Sequence, residues 1–471
     1  MIRLLILFSL ILANPIGAQA FYPSGEKPPV LPREFRGAWA ACVYNIDWPS
    51  RKGLSAEAQR RELVAILDKM ASLKMNALIF QVRPNADAIY NSRYEPWSHW
   101  LTGQMGRSPG YDPLAFCIQQ AHARGIEVHA WFNPFRALPN RDIPAAANHV
   151  TKTHPSVIRS FKTYKWMDPS SRFTQQRALG VIMDVVTRYD VDGVHIDDYF
   201  YPYPDVVQGR PTPIFPDGKN SRQRRAAVDG FVKAMYDTVK AKKPWVRVGI
   251  SPFGIWRPGV PAGTTATIDA YEHLAADSRK WLVEGWCDYL SPQLYWRVRS
   301  PQSYTRLLHW WRSQGRRPVW PGIATARIDS TDDPGRPASE ILNQVGLSRT
   351  IGKNYVGHVH WSVKSLMENR GGISKSIMQY YQEPALVPPM PWISDKVPPT
   401  PAVRASGNSV TWGRVPGVGK YAVQARYGRQ WSLVTVTPGV SVRFSRVPDA
   451  IAVSAVDRFG TASQPAVLAK R

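Results

Sequence analysis

The sequence predicts an α/β protein, with a (β/α)8 TIM barrel over residues 33–383 and a small all-β sandwich over residues 400–471. Three observations predict this fold. Strand-like apolar runs alternate with amphipathic stretches in eight successive units, an order typical of a parallel sheet. Eight units in roughly 350 residues have the size of a closed barrel with long insertions. After a proline-rich segment, short strand-like runs recur about every 8–12 residues, which is typical of a sandwich.

The barrel elements follow from hydrophobic periodicity. In the first helix, apolar residues recur at three- and four-residue spacing, as one buried face requires. The predicted strands are Phe35–Val43, Ala77–Arg83, Glu127–Pro134, Gly193–Tyr199, Val246–Phe253, Tyr289–Trp296, Pro318–Thr325 and Tyr355–Ser362. The predicted helices are Ala56–Leu73, Asp112–Arg124, Arg172–Tyr189, Asn220–Lys242, Pro301–Gln314 and Pro337–Ile351.

The C-terminal region has a different composition. Residues 384–399 hold several prolines and predict a stiff linker. Trp412 and Tyr421 suit the core of the sandwich that follows. The segment Ala455–Gly460 resembles the late strand and turn of a fibronectin type III domain. The predicted strands are Ser409–Gly413, Lys420–Arg426, Ser432–Val436, Ser441–Ser445 and Ala450–Asp457.

Residues 1–20 have the form of a cleavable signal peptide. Arg3 precedes an apolar run of about ten residues, shorter than the roughly 20 that span a bilayer. Ala18-Gln19-Ala20 then matches a small-x-small cleavage site. An uncleaved anchor is the alternative, but no lipidation cysteine follows the site and no later segment is apolar enough to span a membrane. The sequence therefore predicts a periplasmic or secreted protein without stable membrane insertion.

The chain is strongly basic, with 60 Lys and Arg against 35 Asp and Glu and a formal net charge of +25. Such a balance favours anionic partners, which in a cell envelope are acidic polysaccharides and lipid head groups, although it also serves solubility. The sequence has no long basic run and no nucleic-acid motif, so nucleic acid is not a predicted partner. The three cysteines, Cys42, Cys117 and Cys287, do not form a disulfide framework.

The end of the fourth strand is the most informative segment, because barrel enzymes hold their catalytic groups at strand ends. Side chains alternate along a strand, so Val194 and Ile196 face the helices while His195 and Asp197 point into the barrel. Burying such groups without partners is costly, and a structural ion pair is the alternative to a functional site. We predict Asp197 and the adjacent Asp198 as catalytic carboxylates. Whether Asp198 reaches the same cavity depends on a bend at the strand end.

Glycosidases ordinarily place two carboxylates about 5–5.5 Å or 6.5–9.5 Å apart across the substrate. The ends of strands five and six supply Ser251 and Gln293, which are not acids. A second mechanism needs no distant acid, because the acetamido oxygen of an N-acetylated sugar can attack the anomeric carbon. One carboxylate then orients the acetamido group and a neighbouring one protonates the leaving oxygen. The loop acids available to the first mechanism are Asp47, Asp87, Glu95 and Asp329.

Aromatic rings and amides at strand ends are typical of sugar sites, since rings pack on sugar C–H faces and amides bind hydroxyls. Trp39 and Trp131 lie at such ends, each as suited to the core as to a ligand. We predict neither a metal nor a cofactor. The predicted substrate-binding residues are His195, Tyr199, Arg83, Asn45, Asn133, Gln293, Tyr295, Trp296 and Trp361.

Several of these segments together resemble glycosyl-hydrolase-like family 10, over roughly residues 33–383. The resemblance implies an exported barrel glycosidase and assigns catalysis to Asp197 and Asp198. One branch of that family acts on peptidoglycan glycan strands stripped of stem peptides, whose lactyl carboxylates a basic cleft with Arg83 would attract. The segments are 35–39 (FRGAW), 44–50 (YNIDWPS), 81–84 (QVRP), 131–134 (WFNP), 195–202 (HIDDYFYP) and 291–296 (SPQLYW).

Two other functions are compatible with the residues. A metal-dependent polysaccharide deacetylase would use strand histidines and an aspartate as zinc ligands. The first strand lacks the His-x-His pair usual in metal-dependent barrel hydrolases. A non-catalytic cell-wall glycan-binding protein would explain the absent acids on strands five and six. The histidines on strands three, four and eight are His129, His195, His358 and His360.

Overall fold

A computed structural model describes residues 20–140, 142–208, 210–352 and 355–470. The predicted α/β barrel is confirmed, with eight parallel strands in one sheet. The signal-peptide prediction falls on residues 1–19, outside the described residues, apart from its last position. The barrel strands β1 to β8 are Phe35–Ala40, Ala77–Arg83, Glu127–Phe132, Gly193–Ile196, Arg247–Ile250, Tyr289–Leu290, Gly322–Ile323 and Gly357–His360.

The sheet closes on itself. Its strand order is β6-β5-β4-β3-β2-β1-β8-β7. Two further parallel bridges, Leu290–Val319 and Gln293–Gly322, connect β6 to β7 and complete the ring. β6 and β7 have only two residues each, fewer than the sequence predicts. Pro292 has no N–H to donate, so the ladder beside it is interrupted.

One main helix follows each strand, which places the helices around the barrel. Six agree with the predicted helices, and α5 and α8 are additional. Ser55, Asp112 and Asn220 cap the helices after β1, β2 and β4 by accepting backbone N–H groups. The helices α1 to α8 are Ala56–Ser72, Pro113–Ala123, Arg172–Arg188, Ser221–Lys242, Ser278–Val283, Tyr304–Gln314, Ala338–Gly352 and Ile373–Tyr380. Shorter helices are His99–Thr102, Val150–Thr153, Ala270–His273 and Val363–Met367.

The strands separate two apolar regions, as their alternation predicts. Val194 and Ile196 belong to the large core between strands and helices. Inside the barrel lies a second cluster that includes Trp39, Trp131 and Tyr289. This interior is therefore a packed core below the mouth of the barrel.

Two insertions stand at the carboxyl ends of β3 and β4. After β3, a small antiparallel sheet is formed by Arg136–Leu138, Ile158–Phe161 and Tyr164–Met167, with the last strand in the centre. After β4 comes the hairpin of Asp205–Val207 and Arg210–Thr212. The first insertion carries Arg136 to the mouth of the barrel.

The C-terminal region forms the predicted all-β sandwich, with Trp412 and Tyr421 in its core. The N-terminal strand Phe21–Pro23 also belongs to this domain, because it pairs antiparallel with Ala466–Lys470. Its five-stranded sheet contains Phe21–Pro23, Ala466–Lys470, Ala450–Asp457, Val418–Tyr427 and Gln430–Thr437, and its three-stranded sheet contains Val403–Ser406, Ser409–Trp412 and Ser441–Arg443. The likeness to fibronectin type III stays a prediction.

The proline-rich segment 384–399 runs between the two domains, and its boundaries stay predictions. Leu386 packs with sandwich residues and Val387 with the barrel interior. Part of the segment is thus buried in the contact between barrel and sandwich. In the described part of the chain, no helix combines the length and apolarity needed to cross a bilayer.

Candidate active site

A cavity of about 400 Å³ opens at the carboxyl ends of the barrel strands. Its walls are mostly aromatic, with a few amide and hydroxyl groups and four charged side chains. The charged residues are Asp197, Asp198, Arg136 and Arg327. The aromatic residues are Trp39, Tyr44, Trp131, Tyr199, Tyr203, Phe253, Tyr295, Trp296 and Trp361.

Asp197 follows the last residue of β4 and is 5% exposed. Its Oδ2 accepts hydrogen bonds from Asn133 Nδ2 at 2.6 Å and from Trp131 Nε1 at 3.2 Å. Its Oδ1 accepts the Tyr199 backbone N–H at 3.2 Å. These donors and the nearby Arg136 guanidinium favour the ionised form and oppose the rise in pKa that burial causes.

Asp198 lies at the bend that follows β4, and its side chain lines the same cavity. The bend therefore brings two adjacent carboxyl groups to one site. Tyr203 donates its hydroxyl proton to Asp198 Oδ2, and Gln293 also hydrogen-bonds the carboxylate. Burial and then the charge of Asp197 raise the pKa of Asp198 to about 7. Asp198 thus keeps its proton to higher pH than an ordinary aspartate.

The two carboxyl groups have different surroundings, and this separates their chemistry. Asp197 is surrounded by N–H donors and a cation, which suit a carboxylate. Asp198 faces the charge of its neighbour and retains a proton, which suits a general acid. Two carboxyls with such different surroundings in one cavity are typical of acid–base sites.

The loop acids do not reach the cavity. Asp47 accepts hydrogen bonds from the Ala41 and Lys364 backbone and from Ser362, so it connects the ends of β1 and β8. Asp87 accepts the Asn85 N–H, Glu95 pairs with Arg83, and the side chain of Asp329 lies near Gly371. None of these four acids lines the cavity. Among the described residues, the lining contains one adjacent pair of carboxyls and no acid on the opposite wall.

Five predicted binding residues line the cavity: Tyr199, Gln293, Tyr295, Trp296 and Trp361. Asn133 lies just beneath it, where its amide orients Asp197 and accepts a hydrogen bond from Gln81 at 2.7 Å. His195 is fully buried below the cavity. Its Nε2 contacts Ser251 Oγ at 2.8 Å and its Nδ1 contacts Tyr289 OH at 3.0 Å.

Two predicted binding residues lie away from the cavity lining. Arg83 is fully buried in a two-point ion pair with Glu95, at 2.6 and 2.8 Å. It cannot attract a substrate carboxylate from there, because Glu95 already neutralises it. The Asn45 amide donates to the backbone carbonyls of Pro49 and Trp100. Both residues hold loops in place.

Eleven of the residues that line the cavity were not among the predicted site residues, and four of these lie at or beyond strand ends that the sequence had marked. Tyr203 stands five positions after Asp198 in an aromatic run, and Phe253 ends the fifth strand-like run. Arg136 lies two residues beyond the third predicted strand, and Arg327 lies beyond the seventh. Treating the residues just past every strand end as candidates would have found these positions, since the cavity draws on those loops.

The four strand histidines are held by tyrosine hydroxyls. His129 and His195 both contact Tyr289 OH, and His358 and His360 both contact Tyr381 OH. Among the described residues, no three His, Cys, Asp or Glu side chains are grouped as metal ligands would be. The histidines that motivate the deacetylase alternative therefore do not converge on one point.

Among solved structures, the PgaB (BpsB) glycoside hydrolase domain from Bordetella bronchiseptica aligns over 74% of this chain and 98% of that chain, with a TM-score of 0.47 and 12% identity. The endo-β-1,4-mannanase from Thermotoga petrophila aligns over 93% and 98%, with a TM-score of 0.44 and 11% identity. At these scores neither likeness carries an argument about function.

Sequence relatives are much closer. The chain is 40% identical to the glycosyl hydrolase YngK of Bacillus subtilis over 78% of its own length and 76% of that protein. It is 34% identical to the glycosyl hydrolase DigH of Escherichia coli K12 over 61% of its length and 73% of that protein. The model of the family described as glycosyl hydrolase-like 10 matches residues 34–333. The chain belongs to the glycosyl hydrolase-like 10 family.

Proposed function

We propose that this protein is a glycoside hydrolase that cleaves N-acetylated glycans of the cell envelope, with peptide-free peptidoglycan strands as its substrate. The observation that carries the proposal is the adjacent pair Asp197 and Asp198 on one cavity, with no acid on the wall opposite. A conventional pair would flank the sugar from two sides. Two neighbouring carboxyls suit a substrate that supplies its own nucleophile.

In this mechanism Asp197 stays ionised and accepts a hydrogen bond from the acetamido N–H of the substrate. The acetamido carbonyl oxygen attacks the anomeric carbon while Asp198 gives its proton to the departing glycosidic oxygen. Asp198 then accepts a proton from water, whose oxygen attacks the anomeric carbon and reopens the bicyclic intermediate. The two inversions leave the anomeric configuration retained.

Four features support this substrate. Every sugar of a peptidoglycan strand is N-acetylated, as the mechanism requires. The lactyl groups make the strand anionic, which matches a chain of net charge +25. The aromatic walls of the cavity suit sugar C–H faces. The predicted signal peptide would deliver the protein to the compartment that holds this polymer.

The decisive experiment incubates purified protein with amidase-treated glycan strands, intact sacculi and chitin oligomers, and identifies the products by mass spectrometry. Asp197→Asn and Asp198→Asn are the test variants. Each should lower the rate by roughly 100-fold or more, since acid catalysis alone contributes about 10²–10⁴. Asp395→Asn, an exposed carboxylate in the proline-rich segment, is the matched control and should keep full activity.

Inhibition by an analogue of the intermediate, and a search for a covalent adduct, distinguish substrate-assisted catalysis from catalysis by an enzyme nucleophile. A thiazoline analogue of the bicyclic intermediate should inhibit more strongly than the parent sugar binds. A covalent glycosyl-enzyme adduct on any carboxylate would contradict the substrate-assisted mechanism. Glycan binding without turnover, unaffected by both substitutions, would replace the hydrolase proposal with a binding function.

A further inference from the structure

Two guanidinium groups face the cavity, and they have different surroundings. Arg136 lies flat over the Tyr199 ring, with its central carbon 3.6 Å from the ring centroid. Its charge favours the ionised form of Asp197 by opposing the rise in pKa that burial causes. Arg136 therefore already acts within the site, where its charge helps to keep Asp197 ionised.

Arg327 has different contacts. It ends the helical turn Thr325–Arg327 that follows β7, and its Nη1 donates to the Tyr295 carbonyl at 3.1 Å. Across the described residues, no carboxylate forms an ion pair with Arg327 within 4 Å. Its guanidinium is partly buried and lines the cavity. One of its N–H groups thus donates to a neutral carbonyl, and a guanidinium has five such donors in all.

A second guanidinium strengthens the positive field at this wall. Arg336 Nη2 donates to the same Tyr295 carbonyl at 3.0 Å, and Arg336 is 1% exposed. Asp333 balances Arg336 and also Arg297, each at 2.6 Å. The other carboxylate near this group, Glu340, accepts the Val298 N–H and a Gln344 N–H. Asp333 thus pairs with two of the three arginines, and Glu340 accepts N–H groups from an amide and the backbone.

Arg327 lines the same cavity as Asp197 and Asp198. Tyr295 holds Arg327 through its carbonyl and lines the cavity with its ring. Tyr295 and Asp198 line the same cavity, and burial and then the charge of Asp198 raise the pKa of the Tyr295 hydroxyl. An anion bound at Arg327 would therefore belong to a sugar next to the bond being cleaved.

We propose that Arg327 is the centre of a carboxylate-binding subsite that recognises an acidic substituent on the N-acetylated sugar. This inference rests on the proposed function and narrows it to glycans that carry carboxylates. A guanidinium matches a carboxylate with two parallel N–H donors, whereas amides and aromatic rings are enough for a neutral glycan. The lactyl ether of muramic acid is a group of this chemistry.

The test compares two forms of one substrate. Amidase-treated glycan strands are used as such or after conversion of their lactyl carboxylates to methylamides. The wild-type protein should have a kcat/KM about 10- to 100-fold higher for the carboxylate form, the range expected for a hydrogen-bonded charge pair. Arg327→Gln should bring both substrates to the same kcat/KM. Arg327→Lys should keep part of the preference, because lysine holds the charge without the two-point geometry.

Arg299→Gln is the matched control, because Arg299 is an exposed arginine beside the same cluster, outside the cavity lining, and its loss changes the net charge equally. It should keep the wild-type preference. An Arg327→Gln protein that loses the same factor on both substrates would overturn the inference, since a merely structural role predicts that result. A wild-type protein without preference would overturn it too.

A binding measurement separates failure of this inference from failure of the proposed function. Calorimetry on the Asp198→Asn protein compares N-acetylmuramic acid with N-acetylglucosamine. Stronger binding of the acidic sugar, lost in the Asp198→Asn/Arg327→Gln protein, supports the subsite even if no glycan is cleaved. Equal binding of both sugars contradicts the subsite even if glycans are cleaved.

Discussion

Asp197 and Asp198 are identical in covalent structure and adjacent in the chain, and their surroundings alone distinguish them. Trp131 on β3 and Asn133 just after it orient Asp197, and Tyr203 from the loop after β4 orients Asp198. The first contacts stabilise charge at Asp197, and that charge in turn raises the pKa of Asp198. The proposed mechanism requires that Asp198 holds the proton while Asp197 is ionised.

The pH dependence of activity tests whether Asp198 holds the proton. Asp198 must be protonated to act as an acid, so kcat/KM should fall as the pH rises through about 7. Tyr203→Phe removes a hydrogen bond that favours the ionised form of Asp198. The pKa of Asp198 should then rise further, and the alkaline limb of the pH–rate profile should move to higher pH.

Tyr427→Phe serves as the control for this shift. Its hydroxyl donates to the Arg446 carbonyl in the sandwich, far along the chain from the cavity. Its profile should match that of the wild type. A limb that stays in place or moves to lower pH in Tyr203→Phe would contradict the assignment of Asp198 as the acid.

At the scale of single elements, the barrel strands have apolar outer faces, and the polar groups on their inner faces hydrogen-bond one another within the interior cluster. A hydrogen-bonded chain runs along the barrel from Ser251 through His195, Tyr289 and His129 to Glu127, with separations of 2.8, 3.0, 2.8 and 3.4 Å. Burial, and then the nearby His129, lower the pKa of His195 well below its ordinary value, so this imidazole stays neutral. Polar residues on the inner face of a strand are therefore structural below the mouth of the barrel, and only those at its end reach the cavity.

The ion pair at the end of β2 provides a test at this scale. Arg83→Met leaves Glu95 buried with Arg177 at 3.7 Å as its remaining cation. The free energy of unfolding should fall by about 3–5 kcal/mol, the cost of an uncompensated buried charge. Urea denaturation measures it, and the double variant Arg83→Met/Glu95→Leu should recover much of the loss.

The exposed pair of Arg61 and Glu57 on α1 is the comparison for this prediction. Arg61→Met should change the free energy of unfolding by less than about 1 kcal/mol, since exposed pairs are screened by water. If Arg83→Met changed the free energy of unfolding by an equally small amount, the ion pair of Arg83 and Glu95 would not stabilise the fold as its buried geometry indicates.

At the scale of the whole molecule, the sandwich docks on the face of the barrel opposite the cavity. Lys420 reaches Glu127 at 2.8 Å at the start of β3, and Arg458 reaches Asp190 at 2.6 Å before β4. Gly125 has φ of +71°, and a Cβ at this position would lie 2.6 Å from the Val436 carbonyl of the sandwich. Only glycine fits this approach. The sandwich therefore contacts the base of the barrel, at the end opposite the cavity.

Lys420→Met tests this docking. Burial alone would raise the pKa of Glu127, but Lys420, followed by His129 and Arg247, holds it below its ordinary value. Loss of Lys420 should cost about 1–3 kcal/mol, as for a buried charged hydrogen bond. We expect thermal unfolding to change from one transition to two, because the sandwich then separates before the barrel melts.

Lys396→Met, at an exposed lysine of the proline-rich segment, is the matched control and should unfold like the wild type. Differential scanning calorimetry distinguishes one transition from two. An unchanged single transition in Lys420→Met would show that the remaining contacts alone hold the domains together.

The sequence by itself determined the periodic features of this protein. Eight alternating units, the outward faces of Val194 and Ile196 and the core positions of Trp412 and Tyr421 follow from spacing, because burial imposes the period of the element on the sequence. Its motifs also indicated the family and directed attention to Asp197 and Asp198. These are local properties, readable within one strand and its loop.

Tertiary structure alone decided what depends on distant partners. It showed that the bend after β4 brings Asp198 beside Asp197, that Arg83 is neutralised by Glu95, and that Arg327 lines the cavity without a carboxylate partner. Each result depends on which loops meet at the mouth of the barrel. The residue type does not show which loops pack together. An arginine stabilises the fold when it is buried against a carboxylate, and it can bind a ligand when it faces a cavity.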